Sequence, residues 1–226
     1  MPRLDDRLKA VASQIRCRVH ADIGSDHGHL LKALLASGRI QRGIAIENKP
    51  QPLQNSKTTL AGYDADVRFA DGFAGLAVGE ADSVSICGMG GELMTAILDA
   101  FPDRVPETLL LQPNRRPELL RRWGLRCRYD LVDEQVAIGH WAYPILRYRR
   151  RLSEATEPNA EAYDEAYNGL DFEAAILFGP HLIRRWQPDF VDRLSDEAKY
   201  LRKLDRLGKE PALRLAAIER LLRANA

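Results

Sequence analysis

The fold is decided by RVHADIGSDHG, residues 18–28, where a short apolar run ends in a loop of acidic residues and glycines. Four later apolar runs end in similar loops, and the first four loops, at Asp22, Glu47, Asp71 and Gly88, lie 25, 24 and 17 residues apart. Each interval suits a strand plus a crossover helix. The pattern predicts an α/β fold with a mostly parallel sheet, whose loops share the carboxyl edge where such sheets bind ligands.

Strands and helices are expected to alternate. Strands are predicted at residues 19–23, 43–46, 67–69, 83–87 and 108–111, and helices at residues 4–15, 30–38 and 50–60. Residues 125–138 and 143–148 form two further extended stretches joined through Gly139-His140-Trp141. Because so tight a connection cannot join parallel strands, the last strand is expected to be antiparallel to its neighbour.

The composition changes after residue 152, and the change predicts two domains. Residues 1–152 are expected to form the sheet domain, and residues 153–226 a linker, at residues 153–168, and a helical domain. Gly208 separates the last two helical segments into an expected hairpin. The helical segments are predicted at residues 172–185, 192–207 and 211–223.

The bulk composition, with 45% apolar and 29% charged residues, is ordinary for a globular protein. No apolar run approaches the ~18–20 residues of a membrane span, and the N-terminus lacks a signal-peptide segment, so a cytoplasmic protein is expected. Cys17, Cys87 and Cys127 have no CxxC pairing and no His at metal spacing, so neither a metal site nor a disulfide framework is expected.

Charge is unevenly distributed although the net charge is only +1. Residues 115–151 contain ten arginines against four acidic residues. Composition alone favours a solvated charged face and a phosphate-contacting surface about equally. The arginines are residues 115, 116, 121, 122, 126, 128, 147, 149, 150 and 151.

The first loop favours a cationic cofactor. Its pattern is Asp22-x-Gly24-x-x-x-Gly28 instead of the G-x-G-x-x-G of a dinucleotide-binding turn. A pyrophosphate binds best to bare backbone amides at a helix N-terminus, and Asp22 and Asp26 would repel it. S-adenosylmethionine suits the acidic loop, because it carries a sulfonium and an ammonium and no phosphate. The cofactor-binding residues expected here are Asp22, Gly24, Ser25, His27 and Gly28.

Polar or small residues also end the next three strands. Glu47 is placed to accept hydrogen bonds from ribose hydroxyls, and Asp71 to bind an adenine amino group. Any one of these turns could be a simple connection, but carboxylates at the ends of three consecutive strands favour a binding site. The cofactor-binding residues expected on these loops are Glu47, Asn48, Asp71, Gly72, Gly88, Met89 and Gly90.

Several motifs resemble the bacterial tRNA adenine-22 N1-methyltransferase family. They are ADIGSDH at residues 21–27, CGMGG at residues 87–91, LQPN at residues 111–114 and FGP at residues 178–180. The resemblance implies a class I, Rossmann-like methyltransferase domain and a helical, coiled-coil-like C-terminal domain. It also implies S-adenosylmethionine as the cofactor, tRNA as the partner and Asp26 as the catalytic aspartate. We expect a monomer or weak dimer that binds no metal.

The implied chemistry needs few residues, because the in-plane lone pair of adenine N1 can attack a methyl group without prior deprotonation. Asp26 is expected to accept a hydrogen bond from the exocyclic amino group, and the amides of Gln112 and Asn114 to hold the base edge. Because N1 is a pairing atom, the adenine must be unpaired or flipped out of its stack. Arginines in residues 115–128 and 147–151 are expected to contact tRNA phosphates.

Three other functions stay open. The same fold could methylate a small molecule or a protein, and tRNA affinity that falls steeply with salt would separate that function from tRNA methylation. A nicotinamide-dependent oxidoreductase is disfavoured by the carboxylates of the first loop. A catalytically silent RNA-binding protein would protect tRNA without consuming cofactor.

Overall fold

The computed structural model describes residues 4–139, 142–151 and 164–225. The chain divides into two compact units, Met1–Ala160 and Glu161–Ala226. The first unit is built on a seven-stranded sheet, and the second is helical.

Strands and helices alternate along the first unit, as predicted. Its strands are β1 (Val19–Ile23), β2 (Arg42–Glu47), β3 (Ala65–Phe69), β4 (Ser83–Gly90), β5 (Thr108–Arg115), β6 (Tyr129–Ile138) and β7 (Ala142–Arg150). Its α-helices are α1 (Asp6–Ser13), α2 (His29–Ala36), α3 (Pro50–Leu60), α4 (Gly91–Ala100) and α5 (Pro117–Arg126).

The sheet has the strand order β3-β2-β1-β4-β5-β7-β6. β7 pairs antiparallel with both β5 and β6, and the remaining neighbours pair parallel. The predicted fold class, a mostly parallel sheet with an antiparallel last strand, is therefore confirmed. The last strand of the chain lies between β5 and β6 and not at the edge of the sheet. The strand order reverses between β1 and β4, the position at which open α/β sheets bind ligands.

Successive side chains of a strand point to opposite faces of the sheet, so each face has its own core. Ala21 and Ile23 of β1 face a core shared with α4 and α5. The opposite face packs against α1 and α2. His20 and Asp22 of β1 point to this second face and are buried there.

The strands β4 and β5 run three and four residues further than predicted, to Gly90 and Arg115. Gly88 has a φ of 78°, and the register shifts on either side of Met89, so that pairing with β5 resumes after a bulge. The longer strands carry both loops toward the same edge.

The predicted start of the next extended stretch, at residue 125, is wrong. The helix α5 continues to Arg126 because Leu120 and Trp123 bury its apolar face, and β6 begins only at Tyr129. The predicted turn lies partly outside the described residues, at His140 and Trp141.

The second unit contains four α-helices among its described residues. They are α6 (Phe172–Phe178), α7 (Pro180–Arg185), α8 (Pro188–Arg202) and α9 (Lys209–Ala224). The helix predicted at residues 172–185 is divided into α6 and α7, because Gly179 has a φ of 96° and Pro180 begins a new helix. The helices α8 and α9 form the predicted hairpin, bridged by an ion pair between Arg202 and Glu219 of 2.8 Å. Most of the predicted linker, residues 153–163, lies outside the described residues.

Candidate active site

A cavity of about 520 Å³ lies at the carboxyl edge of the sheet. The loop after β1 and the carboxyl ends of β4 and β5 line it, together with residues of α1, α2 and β7. The predicted site residues that line it are Asp22, Gly24, Ser25, Asp26, His27, Gly88, Met89 and Asn114.

The loop after β1 depends on left-handed backbone conformations. Gly24 and Gly28 both have a φ of 70°, and Asp26 between them has a φ of 50°. A Cβ atom at residue 24 would lie 2.3 Å from the Met89 side chain, so a larger residue would also crowd the β4 loop. The Asp26 carbonyl accepts a hydrogen bond from Ser56 Oγ at 3.0 Å. The loop thereby holds the Asp26 side chain, which is 72% exposed, at the wall of the cavity.

Asp22 lies deeper in the site than Asp26. Its carboxylate is almost fully buried at the end of β1, where Ser85 Oγ donates a hydrogen bond to Oδ1 at 2.5 Å. Burial raises the pKa of Asp22 to about 6, although the hydrogen bond from Ser85 and the Arg7 guanidinium act in the opposite direction. The cavity therefore has a carboxylate on its floor that gains from an added positive charge.

Glu47 ends β2 and is only 5% exposed. The backbone N–H of Asp26 donates to its carboxylate, but Oε1 has no hydrogen-bond partner among the described residues. Burial, together with the nearby charges of Asp22 and Asp26, raises the pKa of Glu47 to about 7. A buried carboxylate oxygen without a donor is costly, so this position suits a ligand that donates hydrogen bonds.

The other predicted cofactor-binding residues lie at the same edge beside the cavity. Asn48, after β2, donates to Asp71 Oδ1, after β3, at 3.0 Å. Gly72 follows with a φ of 53°. Gly28 caps the start of α2 and Gly90 that of α4. The structure thus brings the predicted residues of four loops to one edge, although only some of them face the cavity.

Gln112 is placed differently from its prediction. It is fully buried, and its Oε1 accepts hydrogen bonds from Arg7 Nη1 at 2.6 Å and from the Gly88 backbone N–H at 3.2 Å. Its Nε2 donates to the Pro113 carbonyl and to Asn114 Oδ1. Because these bonds occupy the carboxamide, the structure does not bring Gln112 to the base edge. It makes Gln112 a support for Asn114, whose Nδ2 donates to the Gly88 carbonyl at 2.7 Å.

Arg7 of α1 is a site residue that the sequence interpretation missed. Its guanidinium lines the cavity, donates to Gln112 and lies 5.7 Å from the centre of the Tyr143 ring of β7. A signal was available, because Arg7 falls among Leu4, Leu8 and Val11 on the apolar face of the helix. A cation on a buried helix face indicates a polar partner in the fold.

Two histidines provide a flat surface at the cavity. The His27 and His29 rings stack with centroids 5.5 Å apart and planes 18° apart, and both residues are exposed. Both line the cavity, but only His27 was predicted.

The arginine-rich segment does not form one surface. Arg115 ends β5 at the carboxyl edge, whereas Arg149 pairs with Thr108 at the start of β5, because β7 is antiparallel. The two arginines are thus separated by most of the length of β5, roughly 20 Å. Arg121 is 2% exposed and donates to the buried Glu134, so it is not part of any surface. The expectation that the arginines of residues 115–128 and 147–151 contact tRNA phosphates is therefore wrong for Arg121 and stays a prediction for the exposed arginines.

Neither a membrane span nor a metal site emerges from the described part of the chain. None of its helices combines the length and apolar character needed to cross a membrane. Within the same residues, no three His, Cys, Asp or Glu side chains are grouped so as to hold a metal ion. Cys17, Cys87 and Cys127 are free and partly buried against the two cores.

Comparisons with known proteins agree with this geometry. The family described as "Methyltransferase domain" matches residues 4–146. The tRNA (adenine(22)-N(1))-methyltransferase of Bacillus subtilis is 32% identical over 209 residues, which cover 89% of this chain and 84% of that protein. The chain belongs to this methyltransferase family. The resemblance predicted from the sequence motifs is therefore confirmed.

Solved structures of the family extend the likeness to the whole chain. A crystal structure of the Bacillus subtilis m1A22 tRNA methyltransferase has a TM-score of 0.82 at 28% identity. The likeness covers 99% of this chain and 99% of that one. A Streptococcus pneumoniae protein solved in complex with S-adenosyl-L-methionine has a TM-score of 0.81 at 27% identity. That likeness covers 97% of this chain and 100% of the pneumococcal one.

Proposed function

We propose that the chain is a cytoplasmic, S-adenosylmethionine-dependent methyltransferase that methylates N1 of adenine 22 in tRNA. The observation that carries the proposal is the convergence of Asp22, Asp26 and Asn114 on one cavity at the carboxyl edge of the sheet. Membership of the tRNA (adenine(22)-N(1))-methyltransferase family supports the reaction, and the ligand of the pneumococcal relative supports the cofactor.

The residues present fit the cofactor. Glu47 Oε1, buried and without a donor, would accept from the ribose hydroxyls, and the Asn48 and Asp71 pair would meet the adenine edge. Asp22 would bind the ammonium group, and Arg7 would bind the carboxylate. The bound cofactor supplies a methyl group made electrophilic by its sulfonium.

The protein's own contribution to the chemistry is positioning and electrostatic. Asp26 accepts a hydrogen bond from the adenine amino group, which aligns N1 and stabilises the positive charge that develops on the ring. Asn114, held by Gln112 and the Gly88 carbonyl, fixes the opposite side of the base. No general base is required, because N1 presents a free lone pair, so positioning supplies most of the acceleration.

The target base must leave its stack before it reaches Asp26. The stacked rings of His27 and His29 offer the flipped adenine a flat face at the cavity. Arg115, 76% exposed at the same edge, is placed for a neighbouring phosphate. We assign further tRNA contacts to the helical domain, residues 153–226, and propose a monomer or weak dimer that needs no metal.

The test is methyl transfer from labelled S-adenosylmethionine to an unmodified tRNA transcript and to a matched transcript with guanine at position 22. Label should appear only on the adenine transcript and, after digestion, only as N1-methyladenosine. Label on proteins or small molecules of a cell extract, with none on tRNA, would support another acceptor. Binding of tRNA without any transfer would support a silent RNA-binding protein.

Asp26→Asn separates the proposed role from a structural one. Asparagine tolerates the left-handed backbone of this position and keeps a similar shape, but it removes the charge. We expect turnover to fall by about a hundredfold, while affinity for S-adenosylhomocysteine changes by less than about threefold. Unchanged turnover would remove Asp26 from the reaction.

A further inference from the structure

A column of polar side chains runs beneath the cofactor site on the face of the sheet that packs against α1 and α2. His20 and Asp22 of β1 lie beside Ser83 and Ser85 of β4, in the register that pairs the two strands. The four residues are at most 4% exposed, so the column is buried below the point where Asp22 meets the cavity. The core that packs on this face around α1 and α2 is apolar, which makes a polar column here costly unless it is fully hydrogen-bonded.

The column is continuously hydrogen-bonded. Ser83 Oγ lies 2.7 Å from His20 Nδ1, His20 Nε2 lies 2.9 Å from Ser85 Oγ, and Ser85 Oγ lies 2.5 Å from Asp22 Oδ1. Cys17 Sγ, 3.2 Å from Ser83 Oγ, ends the column away from the site.

The carboxylate at one end fixes the direction of these bonds. An ionised Asp22 can only accept, so the Ser85 hydroxyl donates to it. With its proton used, the Ser85 oxygen must accept from His20 Nε2–H. Burial lowers the pKa of His20 to about 3, so the imidazole is neutral and its Nδ1 accepts from the Ser83 hydroxyl.

We propose that His20 is a positioning residue that acts through Ser85 to keep the Asp22 carboxylate ionised and turned toward the ammonium group of the cofactor. The inference rests on the proposed function. Each donor in the column points toward Asp22, so the column favours the charged form of a carboxylate that burial alone would neutralise. His20 itself need not touch cofactor or substrate.

Other charged groups also face Asp22 and enter any pH profile. Arg7 of α1 favours its charge, whereas Glu47 of β2 interacts unfavourably with it. Burial raises the pKa of the Cys87 thiol in β4, so this neighbour stays neutral over the pH range tested. Asp26 raises the pKa of Glu47, so it acts on Asp22 indirectly. The test must therefore change the column while these groups stay in place.

The first measurement determines the tautomer of the His20 ring in the wild-type protein. In ¹⁵N-labelled protein, the His20 ring should show one protonated nitrogen, Nε2, from about pH 5 to about pH 8, with no titration. Loss of the signal in His20→Gln assigns it. A protonated Nδ1 with a bare Nε2, or a titrating imidazolium, would overturn the proposal.

The second measurement is the affinity for S-adenosylhomocysteine, by calorimetry, across the same pH range. His20→Gln keeps a donor near the Nε2 position, whereas His20→Leu removes it. We expect His20→Leu and Ser85→Ala to move the acidic midpoint of binding upward by about one pH unit and to weaken binding about tenfold at pH 6. His20→Gln should restore most of the affinity, and Ser83→Ala, at the far end, should change it less than about threefold.

The outcomes separate the inference from the proposed function. Equal pH profiles for wild type, His20→Leu and Ser85→Ala, with all three folded, would overturn the positioning role while leaving the enzyme assignment intact. If wild type binds no S-adenosylhomocysteine at any pH, both proposals fall. If His20→Leu does not fold, the ring tautomer in wild type and the Ser85→Ala profile decide.

Discussion

The two edges of the sheet differ in how their charged groups are paired. At the edge away from the cavity, cations meet acceptors of the same chain: Arg151 pairs with Asp130, Arg126 lies 2.7 Å from Asp99, and Arg150 donates to the Val105 carbonyl. At the cavity edge, the exposed Arg115 and Arg116 also pair with Glu92, but Asp22 and Glu47 are buried with raised pKa values and form no ion pair among the described residues. The difference indicates that the first edge is closed by folding, whereas the second is completed by a ligand.

The largest effect expected from this comparison is at Glu47. Glu47→Gln removes the charge and replaces one of the two acceptor oxygens proposed for the ribose hydroxyls by an amide donor. It should weaken binding of S-adenosylhomocysteine about a hundredfold, as the loss of charge-assisted hydrogen bonds predicts. The same change should stabilise the protein without ligand. With a folded pKa near 7, Glu47 keeps a proton that the unfolded chain releases above about pH 4.5, so stability falls as the pH rises between these values.

Denaturant unfolding at pH 4.5 and pH 8 checks the predicted change in stability, and calorimetry with S-adenosylhomocysteine checks the predicted change in affinity. Glu47→Gln should gain roughly 1–3 kcal/mol over wild type at pH 8 and little at pH 4.5. Asp130→Asn is the matched control at the other edge. It breaks the pair with Arg151 and should lower stability without changing ligand affinity. A loss of stability in Glu47→Gln at pH 8 would contradict the contrast between the edges.

The second effect concerns the cation of the cavity edge. Arg7→Met keeps an unbranched apolar stem but removes the donor to Gln112 and the charge proposed to bind the cofactor carboxylate. We expect affinity for S-adenosylhomocysteine to fall roughly thirtyfold. Lys9→Met on the same helix is the control, because Lys9 is exposed and paired only locally with Asp6. Equal affinities of the two variants would show that Arg7 supports the loop without binding ligand.

The sequence pattern predicts which residues gather at the carboxyl edge of the sheet, but not the side-chain contacts that lie beneath them. Residues such as Asp22 and Glu47 could be found because each ends a strand, and parallel strands bring their ends together. Arg7 lies 105 residues from Gln112 in the chain, so its contact depends on how α1 packs. His20 and Ser85 meet through the register of β1 and β4, which the sequence pattern does not determine.

The arginines show the same limit at the opposite edge. Their clustering in sequence suggested one surface, but the direction of β7 separates Arg115 from Arg149, and the pairing of α5 with β6 buries Arg121. The antiparallel direction of β7, which the sequence predicts correctly, puts residues 147–151 at the edge opposite Arg115. Arginines that are close in the sequence therefore lie at different edges of the sheet, and closeness in sequence alone does not show that they contact the same partner.

The third effect concerns the flat face beside Asp26. His29→Ala removes half of the stacked pair and should raise the KM for tRNA about tenfold, a typical loss for one stacking contact. His29→Tyr should restore a KM within about threefold of wild type, since it keeps an aromatic face. Affinity for S-adenosylhomocysteine should stay unchanged in both variants. A tyrosine variant as impaired as the alanine variant would point to hydrogen bonding, not stacking.

The smallest effect tests the edges directly with two matched arginines. Arg115 and Arg149 are both exposed, and each lies about 4 Å from one glutamate, at 3.9 Å from Glu92 and 4.0 Å from Glu107. They differ in the edge that they occupy. Arg115→Ala should weaken tRNA binding about threefold and reduce the slope of log affinity against log salt by about one, whereas Arg149→Ala should do neither. If both variants lowered the slope equally, tRNA would contact both edges, and the division between a closed edge and a ligand-completed edge would not extend to the substrate. If both kept the wild-type slope, Arg115 would contact no phosphate.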